Sequence, residues 1–235
     1  WEPESRTEVR KGQIIMEDSD DDVPQLSSET LKALQEFRLE QHERELKLKE
    51  IVEQNNSEEV SSFTFGENWQ LSQFWYSEET AVSLAKVAAA VVGKRGSLAL
   101  ISCPTVYRHI KSIAPDCKVS LLEYDRRFAV TAGEAFVPYD YQSPLDLPRE
   151  LGSQFDLVLM DPPFLSEECL TKTSVTAKFL TKHKIILCTG AVMEDLARRL
   201  LDLQKCSFEP KHQNNLANEF CCYANFNFDD ILSNL

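Results

Sequence analysis

Short apolar runs alternate with amphipathic segments along the last two thirds of the chain. Ser97 to Ser102, Val119 to Glu123, Ala135 to Tyr139, Phe155 to Met160 and Lys184 to Cys188 each read as a strand with little polar alternation inside it. Such runs suit strands covered on both faces in a parallel sheet. Between them the pattern predicts helices over Val106–Ile113, Ser166–Leu180 and Val192–Leu203, a short helix or turn over Arg126–Thr131, and a turn or short helix over Leu145–Leu151. Two last strands, Lys205 to Pro210 and Phe220 to Phe228, lack a clear helix between them and predict an antiparallel hairpin at one edge. A helix is also predicted after Ser77, with Glu78 and Glu79 in its first turn and a small-residue face of Ala81, Leu84, Ala85, Ala88 and Val92. The expected architecture is α/β: a doubly wound, seven-stranded, mostly parallel sheet with a reversed terminal strand.

Upstream the pattern weakens. The block Glu17 to Asp22 repels itself and cannot pack, so residues 1–24 read as a disordered acidic tail. Met16, directly ahead of that block, reads as a natural start. Residues 25–62 read as a helical extension and linker, with a helix from about Glu29 to Gln54 capped by Ser27 or Ser28 and charged nearly all round in its latter half. The α/β domain then occupies 63–235.

Composition narrows the class. The chain has 235 residues, 43% hydrophobic and 27% charged, as in a soluble globular protein. No apolar run is long enough to span a bilayer, and the first residues are too polar for a signal peptide. Seven scattered cysteines without a C-x-x-C pair argue against a metal site and for a reducing cytoplasm. A net charge of −13 weighs against stable nucleic-acid binding, which rests on neutralising phosphates with Lys and Arg. A monomer is expected.

The candidate chemistry begins where the fourth strand stops, at Asp161-Pro162-Pro163-Phe164. The prolines lack amide hydrogens and cannot continue a central strand, so Asp161 falls at a strand's carboxyl end, where open α/β sheets place ligands. A carboxylate, proline carbonyls and an aromatic ring suit holding an amine for attack on an electrophile. A turn after a buried strand, with Asp161 as a helix cap, is the plainer alternative.

The second strand ends in Glu123-Tyr124-Asp125 and the third near Asp140. Glu123, with Asp125 in reserve, stands where an acid meets ribose hydroxyls, and Asp140 where an adenine amino group is met. The first strand leads into Ser102-Cys103-Pro104-Thr105, not a glycine-rich turn. That argues against a pyrophosphate and for a phosphate-free cofactor such as S-adenosylmethionine. Trp69, Phe74, Trp75 and Tyr76 form either a plug on one end of the sheet or a lid over a planar ligand or substrate side chain.

These segments resemble the class I S-adenosylmethionine-dependent methyltransferases. Within that class, Glu67 to Ser77, Glu123 to Phe128, Asp161 to Cys169 and Asn215 to Phe220 resemble the translation elongation factor 1-alpha lysine methyltransferase family, earlier labelled adenine-specific DNA methyltransferase for its D-P-P-[YF] box. The resemblance implies methylation of a lysine amine in elongation factor 1-alpha, in the cytoplasm. It implies that Asp161 and Pro162 hold the amine, with Asp161 also beside the cofactor. Phe164 would line the lysine channel, with Trp69, Phe74, Trp75, Tyr76 and Asn218 on the substrate side. Ser102, Cys103, Pro104, Thr105, Glu123, Asp125 and Asp140 would hold S-adenosylmethionine. Two other readings stay open: an adenine amino-methyltransferase on DNA or RNA, whose flipped base the same box would hold, and a non-catalytic binding module docking through the charged helix.

Overall fold

The computed structural model describes residues 65–214 and 218–235, Trp69 through its backbone only, and scattered positions between 27 and 50. Of two units, Trp1–Glu43 and Arg44–Leu235, the second carries the sheet. Every described position from 29 to 50 is helical and exposed. The acidic tail and most of the linker lie outside the described residues.

Seven strands form one sheet: β1 Ser97–Ile101, β2 Lys118–Glu123, β3 Phe136–Pro138, β4 Phe155–Met160, β5 Thr181–Gly190, β6 Gln204–Lys205 and β7 Phe220–Ala224. Their order is β3-β2-β1-β4-β5-β7-β6. The first five are parallel, and β7 runs antiparallel to both β5 and β6. The sheet is therefore doubly wound with a reversed last strand. The hairpin exists, but its return strand β7 lies inside the sheet and the two-residue β6 forms the edge.

The helices are α1 Glu78–Val92, α2 Pro104–Ile113, α3 Phe128–Ala132, α4 Glu167–Leu180, α5 Glu194–Leu201 and α6 Phe228–Ser233. Ser77 caps α1 through the amide of Thr80, and Ser166 caps α4 through that of Cys169, each followed by two glutamates that favour the helix dipole. The chain after β7 departs from expectation. The apolar spacing to Phe228 suggested more strand, but Asn227 caps α6 and Asp229 and Asp230 fill its first turn. Phe228, 1% exposed, faces the core from that helix.

Both faces of the sheet are buried, as the unbroken runs require. Along β1, Leu98 and Leu100 join one core and Ala99 and Ile101 the other; along β4, Leu157 and Leu159 oppose Val158 and Met160. α1 and α2 cover the first face, α4 and α5 the second. Each fully buried aliphatic side chain contributes about 1.5–3 kcal/mol. Two rigid layers thus hold the carboxyl ends of β1, β2 and β4 in fixed relation. No described helix is long and apolar enough to cross a membrane.

Candidate active site

A cavity of about 170 Å³ opens at those carboxyl ends. Its floor is Ser102, Pro104 and Thr105 after β1, Glu123 at the end of β2, and Asp161, Pro162 and Pro163 after β4. Its cover is Ser72, Gln73, Phe74 and Trp75, and His212, Asn218 and Phe220 also line it. The Asp161 amide donates to the Ile101 carbonyl at 3.0 Å, continuing the β1–β4 ladder one residue beyond the strand before the prolines stop it.

The loop after β1 reaches its shape without glycine. Ser102 has φ 56°, the left-handed region, and its amide donates to the Leu122 carbonyl at 2.9 Å. A side chain there costs about 1–2 kcal/mol. Ser72, also in the cavity lining, has φ 52°. Strain of this kind persists where surrounding contacts over-determine the backbone, commonly at functional sites. Cys103 turns away from the cavity, buried, with its thiol on the Ile101 carbonyl at 3.2 Å.

Glu123 is buried, and Oε1 accepts the Asp125 amide at 3.0 Å. Burial pushes its carboxyl up to about 7 against the pull of backbone amides. Asp161 is half-buried and also pushed up to about 7, by burial first and by Glu123, while Tyr76 opposes the rise. Among the described residues no salt bridge reaches either acid.

Asp125 is differently occupied. Arg127 grips both its oxygens, Nη2 at 2.6 Å, and Gln73 Nε2 donates to Oδ2 at 2.9 Å. Burial would raise its carboxyl, but Arg127 and Gln73 hold it below the usual range. Asp125 thus latches the covering segment to the end of β2 and has little left for a ribose. Asp140 lies outside the cavity lining, exposed, accepting the Gln142 amide at 2.8 Å.

The aromatic cluster divides. Phe74 and Trp75 line the cavity, and the Trp75 indole donates to the Phe65 carbonyl at 2.9 Å. Tyr76 is 2% exposed and lies behind the lining. Phe164 stands outside, 40% exposed, its ring 5.7 Å from that of Tyr141. The side chain of Trp69 lies outside the described residues, as do Asn215, Leu216 and Ala217. Asn218 is on the cavity wall. Sequence reasoning missed His212 and Gln73. Tyr76 and His212 pair as an antiparallel bridge, flanked by Gln213 amide to Trp75 carbonyl and Ser77 amide to Lys211 carbonyl, both 2.8 Å. No local pattern signals contacts between segments so far apart in the chain.

A doubly wound sheet of this order, with unpaired acids at the ends of β2 and β4 facing one cavity, is the plan of a Rossmann-like methyltransferase. The model of the family described as "Probable N6-adenine methyltransferase" matches residues 67–228. Relatives called "EEF1A lysine methyltransferase 1" are 52% identical in Gallus gallus, over 90% of this chain and 98% of theirs, and 49% identical in Homo sapiens, over 88% and 94%. "Protein-lysine N-methyltransferase EFM5" of Saccharomyces cerevisiae is 37% identical over 86% and 91%. Among solved structures, the branched-chain polyamine synthase C9 mutein of Thermus thermophilus aligns with TM-score 0.53 at 12% identity, over 68% of this chain and 59% of that one, a likeness of fold alone. The chain belongs to the family of the EEF1A lysine methyltransferases.

Proposed function

We propose that this protein transfers a methyl group from S-adenosylmethionine to a lysine amine of translation elongation factor 1-alpha. The observation that carries the reading is one cavity onto which Asp161 and Glu123 both open, neither neutralised by a salt bridge among the described residues. Two such carboxylates suit a ligand that brings cationic centres and hydroxyls together, as S-adenosylmethionine does. Glu123 would take the ribose, Ser102, Pro104 and Thr105 the loop beside the methionine part, and Asp140, outside the cavity lining, the adenine edge. When bound, this cofactor supplies an electrophilic methyl group on a sulfonium.

The protein's own residues present the amine. Asp161 and the Pro162 carbonyl accept its hydrogens, and Phe74 and Trp75 exclude water from its flank. Lysine has an ordinary value of about 10.4, and desolvation by these walls favours its neutral form. On this reading Asp161 orients the amine by accepting a hydrogen bond from it, and the proton leaves to water. Alignment of nitrogen and methyl carbon supplies on the order of 7 kcal/mol in favourable cases. On this reading the protein works as a cytoplasmic monomer without stable nucleic-acid binding, in keeping with its net charge of −13.

The test offers labelled S-adenosylmethionine with purified elongation factor 1-alpha and DNA side by side, with Asp161→Ala as control. Label on the protein, lost in the variant, is expected. Label on DNA would replace the lysine reading with the adenine one named by the family model. Cofactor binding with no label on either would remove both substrates.

A further inference from the structure

Tyr76 has a phenol that nothing described so far uses. Its ring is fixed from two sides: the backbone bridge to His212 holds its main chain, and the imidazole of His212 lies 5.0 Å from its ring centre. Its hydroxyl is buried and makes no hydrogen bond of normal geometry. Leaving a buried hydroxyl unsatisfied costs about 1–3 kcal/mol. Tyr223 is also buried with an unpartnered hydroxyl, so that feature alone marks no function. The two differ in what they face. Tyr223 belongs to the core on the α4 and α5 side of the sheet, near Cys221, Glu194 and Glu219. Tyr76 belongs to the opposite core, and its hydroxyl faces the carboxyl of Asp161, whose own side chain has one flank on the cavity.

We propose that Tyr76 is a positioning residue for methyl transfer: its hydroxyl donates to one Asp161 oxygen from behind, leaving the other aimed at the incoming amine. This rests on the lysine-methyltransferase reading. The segment carrying Tyr76 also carries Phe74 and Trp75 of the cavity cover and is latched to β2 through Gln73 and Asp125. Seating of the cover and alignment of the acceptor are therefore one event. A carboxylate free to rotate presents its lone pairs to the amine only part of the time; a donor on the far oxygen removes that freedom. The other titratable groups around the pair are Cys103, which faces both, Glu123 and Cys169 near Asp161, and Cys188 and His212 against Tyr76. Among these described groups none is a cation that could substitute for the phenol: Cys103, Cys169 and Cys188 are buried thiols, Glu123 is an acid, and burial pushes His212 down to about 4.

The test is Tyr76→Phe, which keeps the ring and removes the donor. Carboxyl carbon NMR of the protein without cofactor follows the Asp161 resonance, identified by its loss in Asp161→Asn. The Asp161 midpoint should move up by about one pH unit in Tyr76→Phe, since a hydrogen bond to a charged group is worth about that much. An unmoved midpoint would overturn the proposal. In turnover, kcat should fall about 10-fold, with its acid limb displaced upward and the KM for S-adenosylmethionine unchanged. On the residual turnover of an Asp161→Ala background the same change should cost less than about 2-fold, because no acceptor is left at that position. An equal loss in both backgrounds, or a loss shared with cofactor binding, would make Tyr76 a packing residue only. Should Tyr76→Phe fail to fold, the ring Cζ of labelled tyrosine in the unmodified protein decides: the Tyr76 signal must follow the Asp161 midpoint, and a flat signal would refute the contact. The NMR result needs no substrate. Failure to methylate the elongation factor would therefore sink the reading of function and leave the Tyr76 result to stand or fall separately.

Discussion

Two aspartates on one strand show what position does to the same side chain. Asp156 lies near the start of β4 and Asp161 just past its end. Asp156 is partly exposed, 2.9 Å from Lys182 Nζ, and accepts the Ser97 amide at 2.8 Å. Lys182 first, and then Ser97, hold its carboxyl below the usual range. Asp161 meets no cation among the described residues, and burial carries it up to about 7. The entrance end of the sheet is thus electrostatically complete, whereas the exit end is left for a ligand to complete.

The largest expected effect separates the two by activity. Asp161→Asn should lower kcat by about 100-fold or more, the scale of losing an aligned polar contact in a reacting complex. Asp156→Asn should leave kcat within about 2-fold and cost less than about 1 kcal/mol of stability, the ordinary worth of an exposed ion pair. Steady-state kinetics and urea unfolding on both variants check this. A large kinetic loss from Asp156→Asn would erase the distinction.

The latch comes next. Asp125→Ala strands Arg127 and Gln73 and should cost about 2–3 kcal/mol, since removing one partner of a buried network exposes the others' desolvation. Cofactor affinity should fall with it as the cover loosens. Loss of affinity without loss of stability would mean instead that Asp125 touches the cofactor.

The pH dependence sharpens the comparison through its sign. Glu123 and Asp161 are raised on folding, so the folded state binds more protons than the unfolded chain. Their contribution is whole below the ordinary range near 4 and is lost as pH rises to about 7. Asp156 is lowered, so its contribution exists above the ordinary range and is lost as pH falls through its depressed value. Unliganded protein should therefore lose stability between about pH 4 and pH 7, and Asp161→Asn should flatten that slope. Unfolding by urea across this window measures it; an unchanged slope in the variant would show that Asp161 is not destabilised by burial.

The smallest effect concerns backbone strain. Ser102→Gly relieves a left-handed serine and should stabilise the fold by about 0.5 kcal/mol, the gain reduced by glycine's freedom in the unfolded chain. Thermal unfolding detects this, and a lower melting temperature would mean that the serine side chain itself is used.

Most of the sheet was legible because its signals are local. Phe155 to Met160 reads as a strand from its own composition, and Asp161 falls at its end because two prolines follow. Ser166 with Glu167 and Glu168 announces α4 in the same way. The strand past Ala224 misleads for the complementary reason: apolar spacing around Phe226 and Phe228 fits either period, and only the cap at Asn227 decides for helix. Within the site, Asp161 and Glu123 could be placed because each ends a strand. Asp125 and Tyr76 could not be, since the first is claimed by Gln73 and the second faces Asp161 across the chain.

By itself, then, the sequence determined which residues become strands and helices, which acids stand at strand ends, and the family to which the chain belongs. Periodicity, caps and proline act within a few residues of themselves. Only the tertiary structure decided which of those acids is neutralised, which is left open, that Phe164 stands outside the cavity and that His212 lines it. A carboxylate's charge state depends on the groups within a few ångströms of it, and these arrive from segments tens of residues away.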